Sequence, residues 1–346
     1  MSSIKALPLR QLGNNGPEVP AIGFGLMGLC GAYGQAPSEE ESFEILDRAF
    51  ELGETFWDTA DMYHGNEDLI GKWFKRTGKR HEIFLASKGA IQMDGMQFKG
   101  IDSSGAYLKS ACEKNLARLG VEQIDLYYAH RLNPDTPVEE TVRALAELQA
   151  EGKIKHIGLC EVSSIALRRA VKIAPVAAVQ VEYSPFVREV ETEASKNLAA
   201  TCRELGVALV CYSPLGRGLL TGSLSNRSDV SQGTDIRGTN FPWFEEGNLN
   251  TNSKVVAHFK DLASKKGGSP SQLALAWLLA QGNNVFPIPG TRKIKYLEDN
   301  LKSLDLKLTS EDVAEVRKFV EENELQGYRS IEQAKHFAYI DTKEEP

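Results

Sequence analysis

A (β/α)8 barrel, an α/β fold of eight parallel strands wrapped by helices, is predicted by two features of this 346-residue chain. Eight short apolar runs, at 22–25, 55–58, 83–87, 124–129, 154–159, 176–181, 207–212 and 285–288, mostly lack in-out alternation, as parallel strands buried on both faces should. Helix signals separate them. Gly53, Gly120, Gly152 and Gly206 follow helical stretches and lead directly into strands, where a left-handed residue can end a helix. The alternation is read as one domain over 1–346, since a barrel of this length is commonly a single domain.

Each element has its own local signal. Leu9-Arg10-Gln11-Leu12 and Val19-Pro20-Ala21-Ile22 flank an Asn14-Asn15-Gly16-Pro17 turn, which predicts an N-terminal β-hairpin. Ser38-Glu39-Glu40-Glu41 and Thr136-Pro137-Val138-Glu139 fit the capping box, and Ser269-Pro270-Ser271-Gln272 repeats the design. In the helix after Thr136, Val138, Val142, Leu145 and Leu148 share one face. The segment from Ser213 to Ser253 reads as a long loop after strand seven, and such loops are usually functional or disordered. An extra C-terminal helix begins after Thr309-Ser310-Glu311-Asp312 and leads to an irregular polar end.

Composition excludes several classes. At 42% apolar residues a large core is available, and a net charge of −7 without a basic stripe argues against a nucleic-acid partner. No apolar run is long enough to span a membrane, and the start lacks a secretory signal. Five cysteines, an odd number without C-x-x-C spacing, point to a reducing compartment, so cytoplasmic localisation is expected. Neither H-E-x-x-H nor a paired-cysteine or histidine-cluster spacing occurs, so no metal is expected.

Four side chains of different chemistry end predicted strands or lie just past them: Asp58, Tyr63, Lys88 and His130. Singly, each has an ordinary reading as a cap, packing or a surface charge. Jointly they converge, because all C-terminal strand ends of such a barrel lie on the face that holds the active site. A lysine beside a tyrosine can lower the phenol's pKa from about 10, making an acid usable near neutral pH. Asp58 would hold the ammonium and His130 would aim a carbonyl. The rival signal, Gly23-Phe24-Gly25-Leu26-Met27-Gly28, matches a dinucleotide fingerprint in letters only. Its helix should start at the glycines, yet the next helix cap is Ser38.

The order Asp58, Tyr63, Lys88, His130 and the words around it resemble the aldo-keto reductase superfamily. Thr55-Phe56-Trp57-Asp58-Thr59-Ala60, Gly65-Asn66-Glu67, Asn115-Leu116-Ala117-Arg118-Leu119-Gly120-Val121, Ile124-Asp125-Leu126-Tyr127-Tyr128, Glu151-Gly152-Lys153-Ile154-Lys155-His156-Ile157-Gly158 and Val181-Glu182-Tyr183-Ser184 carry the match over nearly the whole chain. The resemblance implies an NADPH (NADP+)-dependent enzyme without a Rossmann domain, the four residues as catalytic tetrad, and Tyr63 as proton donor to a small-molecule carbonyl. It places Gly25, Leu26 and Met27 beside the nicotinamide, Gln180 on its carboxamide, Tyr212 stacked on its ring, and Ser213, Pro214, Leu215, Gly216 and Gly218 over the pyrophosphate. Gly290, Thr291, Arg292, Lys295, Asp299 and Asn300 are implied at the adenosine 2′-phosphate and adenine, with Arg292, Lys293 and Lys295 as a cationic cluster.

Two departures stand out. Tyr296 occupies a position where many members have a phosphate-binding arginine, so NADPH preference rests on the other cations. Cys160-Glu161 replaces the Ser-Asn that holds the carboxamide, and an ionised Glu161 can accept from the amide nitrogen but cannot donate to its oxygen. A Glu here is similar to a fungal, bacterial and plant branch that includes fungal pyridoxal reductases. Phe24, Met62, Tyr128, Trp243 and Phe244 are candidates either for a pocket wall or for packing. Three functions stay open: a carbonyl reductase, pyridoxal reduction being one form of it; a Schiff-base enzyme using Lys88; and a cofactor-binding regulatory subunit with slow turnover. The oligomeric state, monomer or weak oligomer, is not determined by the sequence.

Overall fold

The structure is a computed structural model that describes residues 6–14, 16–95, 97–224, 226–231, 233–330 and 336–345. Strands β1 (Leu9–Gln11) and β2 (Glu18–Pro20) form the expected antiparallel hairpin, while Asn15 of its turn lies outside the described residues. Then come β3 (Phe24–Gly25), α1 (Glu39–Glu51), β4 (Phe56–Asp58), α2 (Asn66–Thr77), β5 (Phe84–Gly89), β6 (Ile91–Asp94), β7 (Gln97–Ile101), α3 (Gly105–Leu119) and β8 (Ile124–Ala129). The chain continues through α4 (Val138–Ala150), β9 (Ile154–Cys160), α5 (Ser164–Ala170), β10 (Val176–Glu182), α6 (Leu198–Leu205), β11 (Ala208–Tyr212), α7 (Arg237–Asn240) and α8 (Glu246–Lys265). It ends with α9 (Pro270–Leu279), β12 (Val285–Pro287), α10 (Ile294–Leu301) and α11 (Ser310–Glu322).

Strands β3, β4, β5, β8, β9, β10, β11 and β12 pair in parallel in that order, each overlapping one of the expected runs. Backbone hydrogen bonds from Gly23 N to Pro287 O at 3.0 Å and from Gly25 N to Pro289 O at 3.3 Å close the circle. Glycine is required at this seam: a Cβ on Gly25 would stand 2.7 Å from Ile288 O, and one on Gly290 2.5 Å from Gly25 O.

The core has two parts, as a barrel's geometry demands. Phe56, Ala86, Leu126, Tyr128, Cys160, Val210, Phe286 and Ile288 form one buried cluster, to which the hairpin adds Leu12 and Val19. A larger cluster joins alternate strand residues such as Trp57, Leu85 and Tyr127 to the helices, including Val138, Val142, Leu145 and Leu148 of α4. The hairpin is tied down by Arg10, whose guanidinium donates to the carbonyls of Leu279, Gly282 and Val285.

Several local expectations need correction. Thr136 does not cap α4; Pro137 stands at the cap position, and the free amide of Val138 donates to Thr342 Oγ1 at 3.0 Å. The loop after β11 ends sooner than Ser253, because α8 starts at Glu246. Leu249 and Asn252 of that first part are buried, and Asn252 donates to Trp243 O and Gln326 O, so tertiary contacts offset its weak helix propensity. Hairpin β6–β7, at the barrel mouth after Lys88, was not expected. Of the aromatic pocket-wall candidates, Phe24, Tyr128, Trp243 and Phe244 are core residues, and Met62 is half-buried.

Candidate active site

Asp58 ends β4, Lys88 lies near the end of β5 and His130 comes directly after β8, so the parallel sheet delivers all three to one rim. Tyr63 joins them from the turn before α2, where its amide donates to Ala60 O at 3.1 Å. The Lys88 ammonium contacts Asp58 Oδ1 and donates to Thr59 O at 2.7 Å, with both side chains buried. Lys88 Nζ lies 5.3 Å from the centroid of the Tyr63 ring, and the His130 ring meets that ring edge-on at 6.1 Å. Lys88 and Tyr63 therefore share one chemical environment.

The charges in this site differ from the simplest expectation. Burial, and then the negative charge of Asp58, push the Tyr63 phenol well above its ordinary value. The expected lowering by Lys88 is not seen, because burial and the charge of Asp58 act against it. Burial and the adjacent Lys88 and Arg131 hold His130 well below the usual imidazole range, so it is neutral. Burial also lifts the Asp58 carboxyl, against the pull of Lys88 and of the Gln180 amide.

A second set of side chains fixes these groups, and it comes from motif words that carried no assigned role. Asn66 donates to Leu26 O at 3.1 Å and accepts from Thr59 Oγ1 at 2.7 Å, joining the turn after β3 to the Tyr63 turn. Asn115 of α3 donates to Lys88 O at 3.0 Å and to Ser87 Oγ at 3.2 Å, and Ser87 in turn donates to Glu67 at 2.6 Å. A buried polar side chain beside a strand end was the signal for this role, and it is visible only once the helices are packed.

The other expected positions divide. Gln180, in β10, reaches the tetrad directly, donating to Asp58 Oδ2 at 2.7 Å. Tyr212 ends β11 and donates to Glu161 Oε1 at 2.8 Å. Glu161 also accepts from the Glu182 amide at 3.1 Å, so its carboxylate is engaged within the protein. Gly25, Leu26 and Met27 sit at the end of β3 on the same rim, where Gly25 pairs with Asp58. Ser213, Gly216, Arg217 and Gly218 all have positive φ, a tightly coiled loop. From there the chain crosses to the first βα loop, with Thr234 Oγ1 donating to Gly31 O and Gly34 O, both at 3.0 Å, and Ile236 N to Ala32 O at 3.2 Å.

Beyond β12, Gly290 and Thr291 lead to Arg292, whose Nη1 donates to Gln35 O at 2.6 Å, while Lys293 and Lys295 are exposed. Asp299 and Asn300 are placed differently from a free ligand surface. Asp299 accepts from Gln272 Nε2 at 2.8 Å and Ser269 Oγ at 3.1 Å at the start of α9, and Asn300 is buried. Among the described residues, no helix is long and apolar enough to cross a membrane.

The sequence profile of the Aldo/keto reductase family matches residues 21–321. Aldo-keto reductase str7 of Strobilurus tenacellus is 48% identical over 94% of this chain and 95% of its own length. The Schizosaccharomyces pombe aldo-keto reductase yakc [NADP(+)] is 42% identical over 99% of both chains. Glycerol dehydrogenase AKR11B4 from Gluconobacter oxydans superposes with a TM-score of 0.80 at 26% identity, covering 93% of this chain and 97% of that one. A thermostable aldo-keto reductase in complex with the inhibitor epalrestat gives a TM-score of 0.70 at 30% identity, covering 90% and 100%. The chain belongs to the aldo/keto reductase family.

Proposed function

We propose that the protein is a cytoplasmic enzyme that reduces aldehydes or ketones to alcohols with NADPH, and that Tyr63 gives the proton. One observation carries this reading: the buried Asp58–Lys88 pair lies beside a neutral phenol and an edge-on neutral imidazole. The residues at the rim fit the cofactor, since Arg292 offers a guanidinium suited to phosphate beside the glycine seam of Gly25 and Gly290. When bound, the nicotinamide supplies a hydride to the carbonyl carbon. Gln180, Tyr212, Glu161, the 213–218 loop, and the 290–300 segment belong to the same proposal as its contacts.

Tyr63 keeps its proton at neutral pH and can release it only to a stronger base, which the developing alkoxide is. His130, uncharged, can hydrogen-bond the carbonyl oxygen and fix its direction. Lys88 acts after the transfer, when its ammonium steadies the phenolate left on Tyr63. It is poorly placed to form a Schiff base, because it is fully buried and engaged by Asp58 and Thr59. Pyridoxal is a candidate substrate on the strength of the Glu161 branch alone.

The test is Tyr63→Phe with a nitrobenzaldehyde and NADPH. Turnover should fall by about 10²–10⁴-fold, the scale of a lost general acid, while NADPH still binds. Near-normal turnover would remove Tyr63 from the role. A wild-type protein that binds NADPH tightly but turns over no carbonyl in a panel including pyridoxal would favour a regulatory subunit.

A further inference from the structure

The C-terminal segment reaches the rim at Glu161, by backbone and by side chain. Glu161 has φ +49°, a conformation that L-residues seldom adopt, and its peptide is held on both sides. Its amide donates to Gln180 O at 2.9 Å, and its carbonyl accepts from Ile340 N at 2.8 Å. Ser163 N returns a bond to Ile340 O at 3.0 Å, so Ile340 pairs with Val162 like a short added strand. Arg169 secures the residues beyond Ile340 by donating to the carbonyls of Thr342 and Lys343, both at 2.7 Å.

The side chains form a buried charge chain. Arg329 donates to Glu182 at 2.7 Å and to Glu189 at 2.7 Å, and its Nη2 lies 3.8 Å from Glu161 Oε2. Among the described residues, neither of those last two atoms has a hydrogen-bond partner. Arg217 neutralises Glu182 from the other side, and Arg131 is a further cation whose field reaches Glu161 and Tyr212. Glu161, Glu182 and Arg329 are at most 5% exposed, so water cannot screen them. Burial alone would raise the Glu182 carboxyl, yet Arg217 and Arg329 outweigh it and hold it below the usual range.

From this arrangement we propose that Arg329 is a positioning residue for Tyr212: it hydrogen-bonds Glu182 and sets its positive charge beside Glu161, which in turn holds the tyrosine hydroxyl. The C-terminal segment would thus set cofactor affinity at the nicotinamide end. The inference rests on the reading that Tyr212 stacks on the nicotinamide. Without Arg329, Glu182 keeps only Arg217, and Glu161 loses its nearest cation on that side. The carboxylates then draw apart, and the hydrogen bond that fixes Tyr212 loosens.

Arg329→Met, Arg329→Lys, Tyr212→Phe and the Arg329→Met/Tyr212→Phe double variant test this by fluorescence titration with NADPH and by steady-state kinetics. Arg329→Met should weaken NADPH roughly tenfold, the scale of one lost charge-assisted contact, and leave the KM for the carbonyl within about twofold. Arg329→Lys, which keeps the charge but not the fork, should recover part of that loss and still decides the matter if the Met variant does not fold. In the Tyr212→Phe background the Arg329→Met effect should shrink, because the hydroxyl it acts through is gone. Unchanged NADPH affinity in both Arg329 variants, or an undiminished effect without the hydroxyl, overturns the proposal. A wild-type protein that fails to bind NADPH would instead remove the functional reading beneath it.

Discussion

Gln180 and Asp58 are joined across the barrel mouth by a 2.7 Å hydrogen bond, from the amide of a β10 residue to the free oxygen of a carboxylate at the end of β4. The other Asp58 oxygen holds Lys88, so the aspartate is bonded on both sides and cannot turn away. An ion pair buried this completely must be satisfied by the protein, since water cannot do it.

Removing one partner should therefore destabilise the fold as well as the site. Asp58→Ala leaves Lys88 buried with Thr59 O as its remaining partner, and chemical denaturation should show a loss of about 3–5 kcal/mol. The double variant Asp58→Leu/Lys88→Met should recover much of that stability while remaining inactive, because apolar replacement of both charges removes the desolvation cost. A single variant within about 1 kcal/mol of wild type would show that water reaches the ammonium.

The four residues at the rim illustrate what a sequence can and cannot reveal. Asp58, Lys88 and His130 were legible because apolar runs mark strand ends and parallel strands share a face. Gly120 and Gly206 were legible as helix stops, and both have the positive φ that the role requires. The direction in which Tyr63 titrates was not, since it depends on the burial of the ring and on the charge of Asp58 beside it. The bonds of Thr342 to Val138 at the start of α4 and of Arg329 to Glu182 span 204 and 147 residues. No local pattern encodes contacts at that separation. Hairpin β6–β7 is short and mostly exposed, yet the alternation Ile91-Gln92-Met93-Asp94 and the Asp94-Gly95 turn were usable signals for it.

Arg292 should discriminate between the two nicotinamide cofactors. Its guanidinium is held at the mouth by Gln35 O, which leaves other donors for a phosphate. Arg292→Ala should weaken NADPH by about 10–100-fold, in line with a charge-assisted hydrogen bond of roughly 1.5–3 kcal/mol, and change NADH little. Titrating both cofactors against both proteins checks this. Equal losses would mean that Arg292 shapes the loop at Gln35 and does not meet a 2′-phosphate.

Glu54 predicts a stabilising substitution far from the chemistry. Its backbone is bonded, with the amide donating to Ala49 O and the carbonyl accepting from Trp57 Nε1. Its carboxyl is fully buried, and among the described residues neither oxygen has a hydrogen-bond partner. Burial pushes this carboxyl well above its ordinary 4.5. The folded state thus binds the proton more tightly than the unfolded chain. Below the unfolded value both states are protonated and nothing is lost; as pH rises above it, the unfolded chain ionises freely and stability falls until the folded carboxyl ionises too. Glu54→Gln cannot ionise, so relative to its value near pH 4 its stability should gain on wild type as pH rises toward 7, by up to about 1.4 kcal/mol per pH unit while only the unfolded chain is ionised. Denaturation curves across pH 4–8 measure that gap. A gap that does not widen with pH would mean that the carboxyl finds a partner or water in solution.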